Sequence, residues 1–394
     1  MSRRTGRRRG PEILRLLVAL IAFLASLLTV VRAPTYIAWK FSVAVTEWGH
    51  VLALIALLAF LPGWRKSVTG KISAALAGVA FVLALSPLAR AIPIAASLPD
   101  ELTSAFGNVS PKTMPGASAR PKPLVLGDIV TRVKSPPVRI DTATYVVWDG
   151  KPYGMDLYRP LNSSSLLPVV IMIHGGAWQG GTRSDLPDLN RYLAARGYAV
   201  AAISYRFAPR YPHPAASQDV HAAIEFLKSN AAHLGLDPSR IALIGRSAGG
   251  QLALLAAYTE NDPGIRGAVG FYAPSDQVFG YEHPTNPRVL NSTMILEDFL
   301  AGNPRTAPAA YASASPINFI GPSTVPTLLI HGTQDELVFA RQSERLDERL
   351  AAAHRPRLFL RMPWATHGCD YNFNGPCGQL STYAIERFLA AVMR

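Results

Sequence analysis

Cysteine and charged side chains are both scarce in this 394-residue chain. It has two cysteines, and charged residues make up 16% of it, against about 25% in ordinary soluble domains. So few cysteines exclude a small scaffold held by several disulfides. The apolar content of 49% excludes an intrinsically disordered chain. The length allows one large domain with additional segments, and the low charge indicates that some of them lie in a membrane.

Acidic residues are also few, 26 against 39 lysines and arginines, which gives a net charge of +13. The imbalance is local: residues 1–120 hold 14 basic and 4 acidic residues (+10), whereas residues 121–394 hold 25 and 22 (+3). Nucleic-acid binding needs many clustered cations on the binding domain. We therefore expect no nucleic-acid partner.

Three apolar runs within residues 1–94 predict an N-terminal membrane anchor, with spans at about 12–32, 41–62 and 72–91. Each approaches the roughly 20 residues that cross a bilayer as a helix. The second span is the weakest because it contains Glu47 and His50, and a carboxylate at the bilayer centre costs about 2.5–3.5 kcal/mol.

The number of spans decides on which side of the membrane the rest of the chain lies. Arginines at positions 3, 4, 7, 8 and 9 favour a cytoplasmic start under the positive-inside rule. Three spans then place the main domain outside the cytoplasm, whereas two return it inside. A signal peptide cleaved near Ala33 is an alternative interpretation of the first run, although Pro34 and two further apolar runs favour an anchor.

From residue 140 the pattern predicts an α/β domain. Residues 95–139 are rich in Pro, Ser and Ala and are expected to form a linker. Over 140–394, short apolar runs alternate with helical patterns, which is typical of a mostly parallel sheet with helices on both faces. An insertion at about 275–315 is expected to form a small cap over a pocket.

A Gly-x-Ser-x-Gly motif carries the clearest chemical signal. The apolar run Ile241–Ile244 leads into Gly245-Arg246-Ser247-Ala248-Gly249 and then into a helical pattern. This strand–turn–helix context is that of a nucleophile elbow, in which glycines permit the tight turn. Ser247 would stand at a helix N-terminus, where backbone N–H groups favour developing negative charge.

The segment His174-Gly175-Gly176-Ala177-Trp178 follows another predicted strand. Its small residues allow the backbone amides to turn toward a bound carbonyl oxygen. The amides of Gly176, Ala177 and Ala248 are therefore predicted to form an oxyanion hole. His174 is a candidate second base, but a structural role in this loop is the preferred interpretation.

A base and an acid are predicted further along the chain. Asp335 follows the predicted strand Thr327–Ile330, with Glu336 as the alternative acid, and His367 follows the last predicted strand. A serine hydroxyl needs a histidine to become a nucleophile, and the histidine needs a carboxylate to orient it. The remaining histidines lack the spacing of a metal site, so we expect no metal.

These motifs together resemble those of the α/β-hydrolase superfamily, which has the same chain order of serine, acid and histidine. The resemblance covers residues 140 onward and is closest to esterases of the hormone-sensitive-lipase and feruloyl-esterase-like (BD-FAE-type) groups. It implies hydrolysis of small carboxylic esters through an acyl-serine, with no cofactor. Two residues depart from the commonest pattern: Ala177 replaces a glycine and Arg246 replaces an acid.

Three other functions remain open at this point. An amidase or formamidase would use the same residues, as would an acyltransferase that passes the acyl group to an alcohol. The third is a catalytically idle binding module, which the complete Ser, Asp and His set disfavours.

Cys369 and Cys377 follow His367 closely, with seven residues between them. In an oxidising compartment they are expected to pair, which would constrain the histidine loop. In the cytoplasm they are expected to remain thiols.

Overall fold

The computed structural model describes residues 10–111, 114, 116–163 and 165–394 of the protein, so the arginines at positions 3–9 lie outside it. Before residue 111 the described chain forms four helices: α1 Gly10–Ser26, α2 Tyr36–Glu47, α3 Gly49–Leu57 and α4 Val68–Phe106. Short 3-10 turns, Leu27–Thr29 and Leu58–Phe60, continue α1 and α3.

Two of these segments, Gly10–Thr29 and Val68–Phe106, are long and apolar enough to cross a membrane. The second predicted span, 41–62, is not one helix, because α2 and α3 meet at an angle of 84°. The break follows Glu47, whose Oε2 accepts a hydrogen bond from the backbone N–H of Cys377 at 3.2 Å. The end of α2, next to the bend, is thus hydrogen-bonded to the distant C-terminal part of the chain.

Helix α4 is 39 residues long, extends through the predicted boundary at residue 95 and ends at Phe106. Its last turns carry Ala91, Leu98 and Leu102, which are buried in the same apolar cluster as the C-terminal helix. This burial favours continued helix in a segment whose prolines and small residues predict a linker. Residues 95–106 of the predicted linker, 95–139, therefore belong to α4.

Helices α1, α3 and α4 pack through small side chains. Six alanines form a buried cluster between them: Ala19 and Ala22, Ala56 and Ala59, Ala77 and Ala80. Small residues allow close approach of helix backbones.

Two arginines fix the direction of these helices. The Arg15 guanidinium donates to the carbonyl oxygens of Leu61 and Pro62 at 3.1 and 3.2 Å. Arg90 donates to the carbonyl oxygen of Thr29 at 2.7 Å. The end of α3 therefore lies near the start of α1, and the end of α1 lies beside the middle of α4.

The rest of the described chain folds around one eight-stranded sheet of order β1-β2-β4-β3-β5-β6-β7-β8. Strands β1 and β2 are antiparallel to each other, β2 is antiparallel to β4, and the other neighbours are parallel. The strands are β1 Val138–Trp148, β2 Lys151–Pro160, β3 Leu167–Ile173, β4 Ala199–Ile203, β5 Leu236–Arg246, β6 Ile265–Phe271, β7 Thr327–Gly332 and β8 Arg357–Met362. The predicted α/β architecture is confirmed.

Helices cover both faces of this sheet: α5 Asp128–Thr131, α6 Pro187–Ala194, α7 Ala215–Ser229, α8 Ala231–Leu234, α9 Ala248–Thr259, α10 Gln277–Glu282, α11 Ser292–Leu300, α12 Pro308–Ser313, α13 Arg341–Ala352 and α14 Pro376–Val392. Successive residues of β3 enter opposite cores, Val169 and Ile171 on one face and Val170 and Met172 on the other. Strands buried on both faces explain the continuous apolar runs in the sequence. Helices α10, α11 and α12 lie within the predicted insertion, 275–315.

Candidate active site

Ser247 lies in a sharp turn between β5 and α9. Its backbone has φ 53° and ψ −122°, a conformation that costs energy for a residue with a side chain and is typical of functional sites. The turn is closed by glycines: a Cβ at Gly245 would collide with the carbonyl oxygen of Gly249, and one at Gly249 would collide with that of His174. The predicted nucleophile-elbow geometry is therefore present, with the Ser247 side chain at a pocket wall.

His367 lies between Ser247 and Asp335. Its Nε2 is 3.0 Å from Ser247 Oγ, and its Nδ1 is 2.7 Å from Asp335 Oδ2. With a proton on Nδ1 donated to the carboxylate, Nε2 accepts from the serine hydroxyl. The structure thus brings together the three residues that the sequence predicts, from the ends of β5, β7 and β8.

The Asp335 carboxylate is completely buried. Burial by itself would raise its pKa, but the positive charge of His367 and hydrogen bonds from His331 and His367 hold the pKa well below its usual range. The second oxygen, Oδ1, accepts from the backbone N–H groups of Leu337 and Val338, both at 2.9 Å. Asp335 is therefore held as an anion in a fixed orientation.

His331 is one residue of this arrangement that the sequence did not single out. Its Nε2 lies 3.1 Å from Asp335 Oδ2 and 2.9 Å from the carbonyl oxygen of Val338, while Nδ1 lies 2.8 Å from Ser343 Oγ. It therefore contacts the same carboxylate oxygen, Oδ2, as His367 does. The motif His331-Gly332 at the end of β7 is visible in the sequence, but the contact depends on the turn that follows.

The predicted oxyanion-hole residues lie beside Ser247. Gly176 and Ala177 adopt positive φ values, 120° and 55°, which turns this loop sharply after β3. In the part of the chain that the structure describes, no protein acceptor takes the N–H of Gly176 or Ala177, and Ala248 is the first residue of α9, where N–H groups lack intrahelical partners. Both Ala177 and Ala248 line the same pocket as Ser247.

His174 does not face the nucleophile as a second base would. Its ring is stacked on Tyr205 with centroids 4.4 Å apart, and its Nδ1 lies 2.7 Å from the carbonyl oxygen of Gly175. Burial lowers the pKa of His174. These contacts support the predicted structural role in the oxyanion loop.

Arg246, the unusual residue before the serine, ties the nucleophile turn to the histidine loop. Its Nε donates to Asp370 Oδ2 at 2.5 Å, and the Tyr272 hydroxyl donates to Asp370 Oδ1 at 2.6 Å. Burial and the Asp370 charge raise the pKa of Tyr272 well above its usual value, so this hydroxyl stays protonated. The Tyr272 ring also lies 4.3 Å from the His367 ring, centroid to centroid.

In the structure, Cys369 and Cys377 are joined by a disulfide. Cys369 lies directly before Asp370, and both cysteines are buried. The bond closes the loop that carries Asp370, two residues after the His367-Gly368 pair.

Glu336, the alternative acid, does not contact His367. Its Oε2 accepts from the hydroxyl of Thr366 at 2.6 Å. Burial, together with the charge of Asp335, raises the pKa of Glu336 to about 7. Of the two adjacent carboxyl groups, only that of Asp335 is hydrogen-bonded to His367.

This pKa predicts a pH-dependent stability that Glu336→Gln removes. The folded pKa, about 7, lies above the reference value of 4.5, so the folded state binds this proton more tightly than the unfolded state. The Glu336 contribution is therefore present below pH 4.5 and is lost as the pH rises toward 7, by up to about 3 kcal/mol. We expect Glu336→Gln to raise the melting temperature relative to wild type at pH 8 but not at pH 4.5.

The matched control is the exposed Glu225→Gln, which is expected to follow the wild-type pH profile. Thermal unfolding of the three proteins across this pH range checks the prediction. Parallel profiles for wild type and Glu336→Gln would contradict it.

Two pockets meet at Ser247. One is lined mainly by apolar side chains of the cap and of the loop after β7, among them Phe279, Ile295, Leu296 and Phe339. The other, about 410 Å³ in volume, is lined by the oxyanion loop and the His367 loop together with Tyr36 and Trp39 of α2. Sequence analysis did not single out Tyr36 and Trp39, because they belong to the predicted anchor, residues 1–94.

No group of three or more His, Cys, Asp or Glu side chains is placed to hold a metal ion within residues 10–111, 114, 116–163 and 165–394.

The strand order of the sheet and the helices on both of its faces fit the α/β-hydrolase fold. Among solved structures, a bacterial heroin esterase superposes with a TM-score of 0.58 at 23% identity, covering 68% of this chain and 89% of its own. An esterase from the archaeon Pyrobaculum calidifontis gives 0.57 at 25% identity, covering 65% and 84%.

Sequence comparisons find similarity to a family model and to ester hydrolases. The BD-FAE family model matches residues 155–350. The probable carboxylic ester hydrolase LipM of Mycobacterium tuberculosis is 32% identical over 259 residues, 62% of this chain and 59% of LipM. Esterase LipC of the same organism is 34% identical over 245 residues, 58% of this chain and 59% of LipC. The aligned region thus spans about three-fifths of these relatives, and their names support a carboxylic ester hydrolase.

Proposed function

We propose that this protein is a membrane-anchored serine carboxylesterase that uses Ser247, His367 and Asp335 as a catalytic triad. The observation that carries the proposal is the continuous hydrogen-bonded chain from Ser247 Oγ through both nitrogens of His367 to Asp335. It begins at a pocket wall and ends at a buried carboxylate. The ester hydrolase names of the relatives agree with it.

Acylation follows from this geometry. Ser247 Oγ attacks the ester carbonyl carbon while its proton passes to His367 Nε2, and Asp335 stabilises the resulting imidazolium. The carbonyl oxygen, now negative, accepts hydrogen bonds from the amides of Gly176, Ala177 and Ala248. The C–O bond to the alcohol then breaks, and His367 returns the proton to the departing oxygen.

Deacylation repeats these steps with water in place of the serine. His367 removes a proton from water, the hydroxide oxygen bonds to the acyl carbon, and the bond to Ser247 Oγ breaks with return of the proton. No cofactor is needed for either half of the reaction. The proposed substrate is a small-molecule carboxylic ester, in agreement with the ester hydrolase names of the relatives.

The membrane assignment rests on the directions of the N-terminal helices. Helices α1 and α4 run toward the hydrolase domain, and the start of α1, with Arg15, lies at the far end together with Leu61 and Pro62. Arg65, Lys66 and Lys71 follow in sequence at that end. Under the positive-inside rule this end is cytoplasmic, and the catalytic domain is then extracytoplasmic.

Residues 49–60, α3 and the 3-10 turn after it, lead back toward the proposed cytoplasmic end. This segment is about 18 Å long at 1.5 Å per residue, which is shorter than the roughly 30 Å hydrocarbon core. Arg15 satisfies the carbonyl groups at its end, and a long arginine side chain reaches the interface from within the core.

The buried disulfide agrees with an oxidising compartment for the domain.

Labelling with serine-directed fluorophosphonates tests the triad and the sidedness together. We expect a membrane-permeant and an impermeant probe to modify Ser247 in intact cells, as identified by peptide mass spectrometry. We also expect the purified full chain to hydrolyse p-nitrophenyl esters faster than the matching p-nitroanilides.

Modification by the permeant probe alone would contradict the extracytoplasmic assignment, with lysed cells as the control for probe reactivity. Faster anilide hydrolysis would assign an amidase. Absence of both labelling and hydrolysis would refute the enzymatic function.

A further inference from the structure

The pocket beside Ser247 has one wall made by a helix of the N-terminal segment. Tyr36 and Trp39 of α2 line it, opposite the oxyanion loop and next to Gly368 and Tyr371. The entrance to the site is therefore built partly from chain that precedes the hydrolase fold by about 100 residues.

Direct bonds hold α2 at this place. The indole N–H of Trp39 donates to the carbonyl oxygen of His367 at 3.1 Å. The backbone N–H of Tyr36 donates to the carbonyl oxygen of Arg288 at 2.9 Å, and the Asn286 side chain donates to the carbonyl oxygen of Pro34 at 3.2 Å. Helix α2 is thus bonded both to the histidine loop and to the cap insertion.

The opposite face of α2 is exposed and largely apolar. Ile37 and Phe41 are 68% and 60% exposed, and Lys40, Ala44 and Trp48 complete the same face at helical spacing. A helix with one apolar face, a cation and an aromatic residue at its end is typical of the membrane–water interface.

This face continues into other apolar surface. Val30 and Val31, between α1 and α2, are exposed, and exposed leucines and isoleucines follow along α1 and α3. The segments Gly10–Thr29 and Val68–Phe106 are long and apolar enough to cross a membrane, and a bilayer around them would border this surface. Contiguous apolar surface of this extent marks an interaction site, and its continuity with membrane-length helices identifies the occupant as the bilayer.

We propose that α2 lies in the outer membrane–water interface and that the enzyme takes its ester from the bilayer, past Tyr36 and Trp39, to Ser247. The substrate class is an ester of a membrane-resident amphiphile, such as an acylated lipid. The inference rests on the proposed esterase function. Ile37 and Phe41 position the entrance at the lipid surface, and they do not line the pocket.

The double variant Ile37→Ser/Phe41→Ser tests this inference in the full-length chain. The chain is reconstituted in phosphatidylcholine vesicles that carry a fluorogenic diacylglycerol, and the same preparations are assayed with water-soluble p-nitrophenyl acetate. Loss of two interfacial apolar side chains is expected to lower turnover of the vesicle ester about tenfold or more. Turnover of the soluble ester is expected to remain unchanged, because no pocket residue is altered, and this also reports intact folding.

The matched control is Val147→Ser/Leu161→Ser, which removes two apolar side chains of similar exposure, 56% and 58%, from the far edge of the sheet. It is expected to change neither activity. Equal effects of the α2 variant on both esters, or none on the vesicle ester, would overturn the inference. The inference would also be overturned if the wild-type chain were an oligomer and the α2 variant a monomer with unchanged turnover of the vesicle ester. A second copy of the chain would then cover the exposed face of α2.

Failure of the wild-type chain on both esters would refute the esterase function, and this inference with it. That result is distinguishable from failure of the inference alone, in which the wild-type chain hydrolyses the soluble ester.

Discussion

Replacing Ser247 with Ala is expected to lower kcat for p-nitrophenyl butyrate by about 10⁶-fold, as loss of the nucleophile does in other serine hydrolases. The variant keeps the oxyanion amides and the His367–Asp335 pair but has no oxygen to form the acyl-enzyme. Folding is expected to be retained, because the substitution removes only the side-chain oxygen of Ser247 and introduces no larger group. The measurement is steady-state hydrolysis by the full chain in detergent, with melting temperature as the folding readout.

Ser217→Ala is the matched control, since it removes a hydroxyl from α7 that has no hydrogen-bond partner among the residues that the structure describes. It is expected to retain wild-type activity. Ester hydrolysis by Ser247→Ala within tenfold of wild type would refute the assignment of the nucleophile.

Replacing Asp335 with Asn is expected to lower kcat by about 10⁴-fold. In the wild type, the carboxylate accepts the Nδ1 proton of His367 at 2.7 Å and leaves Nε2 free to accept from Ser247. An asparagine amide can donate to Nδ1 instead, which stabilises the tautomer with the proton on Nε2. In that tautomer His367 cannot take the serine proton, although the geometry is preserved.

Glu336→Gln serves as the comparison for this second prediction, because it changes the adjacent carboxyl group in the same way. It is expected to retain most of the activity, since Glu336 contacts Thr366 and not His367. Measuring kcat and KM for both variants separates the two acids. A larger loss in Glu336→Gln than in Asp335→Asn would reverse the assignment.

The residues brought together at the site were predictable because each follows a buried strand within one or a few positions. In a parallel sheet the carboxyl ends of the strands meet at one edge, so Ser247, Asp335 and His367 converge although 120 residues separate the first from the last. The need for glycine at positions 245 and 249 was also predictable, because the Gly-x-Ser-x-Gly turn brings backbone atoms too close together for a side chain there. The oxyanion loop has a similar local signature.

The supporting contacts could not be predicted, because they join segments that are distant in sequence. Trp39 lies in the short stretch between the first two predicted spans, 12–32 and 41–62, and nothing local shows that its indole reaches the His367 carbonyl. The contact of Glu47, at the bend, with the Cys377 amide likewise joins residues 330 positions apart. Pattern analysis identified Arg246 as unusual, but its partner, Asp370, becomes evident only once the last loop is folded.

The contacts of α2 and α4 imply that the anchor and the hydrolase form a single folding unit. Loss of residues 1–94 would leave the His367 carbonyl oxygen and the Asn372 side chain, which donates to the backbone of Glu47 at 3.0 Å, without their partners. It would also uncover the apolar cluster into which Ala91 is buried. The N-terminal segment is thus an integral part of the fold, and the position of His367, the proposed general base, depends on it.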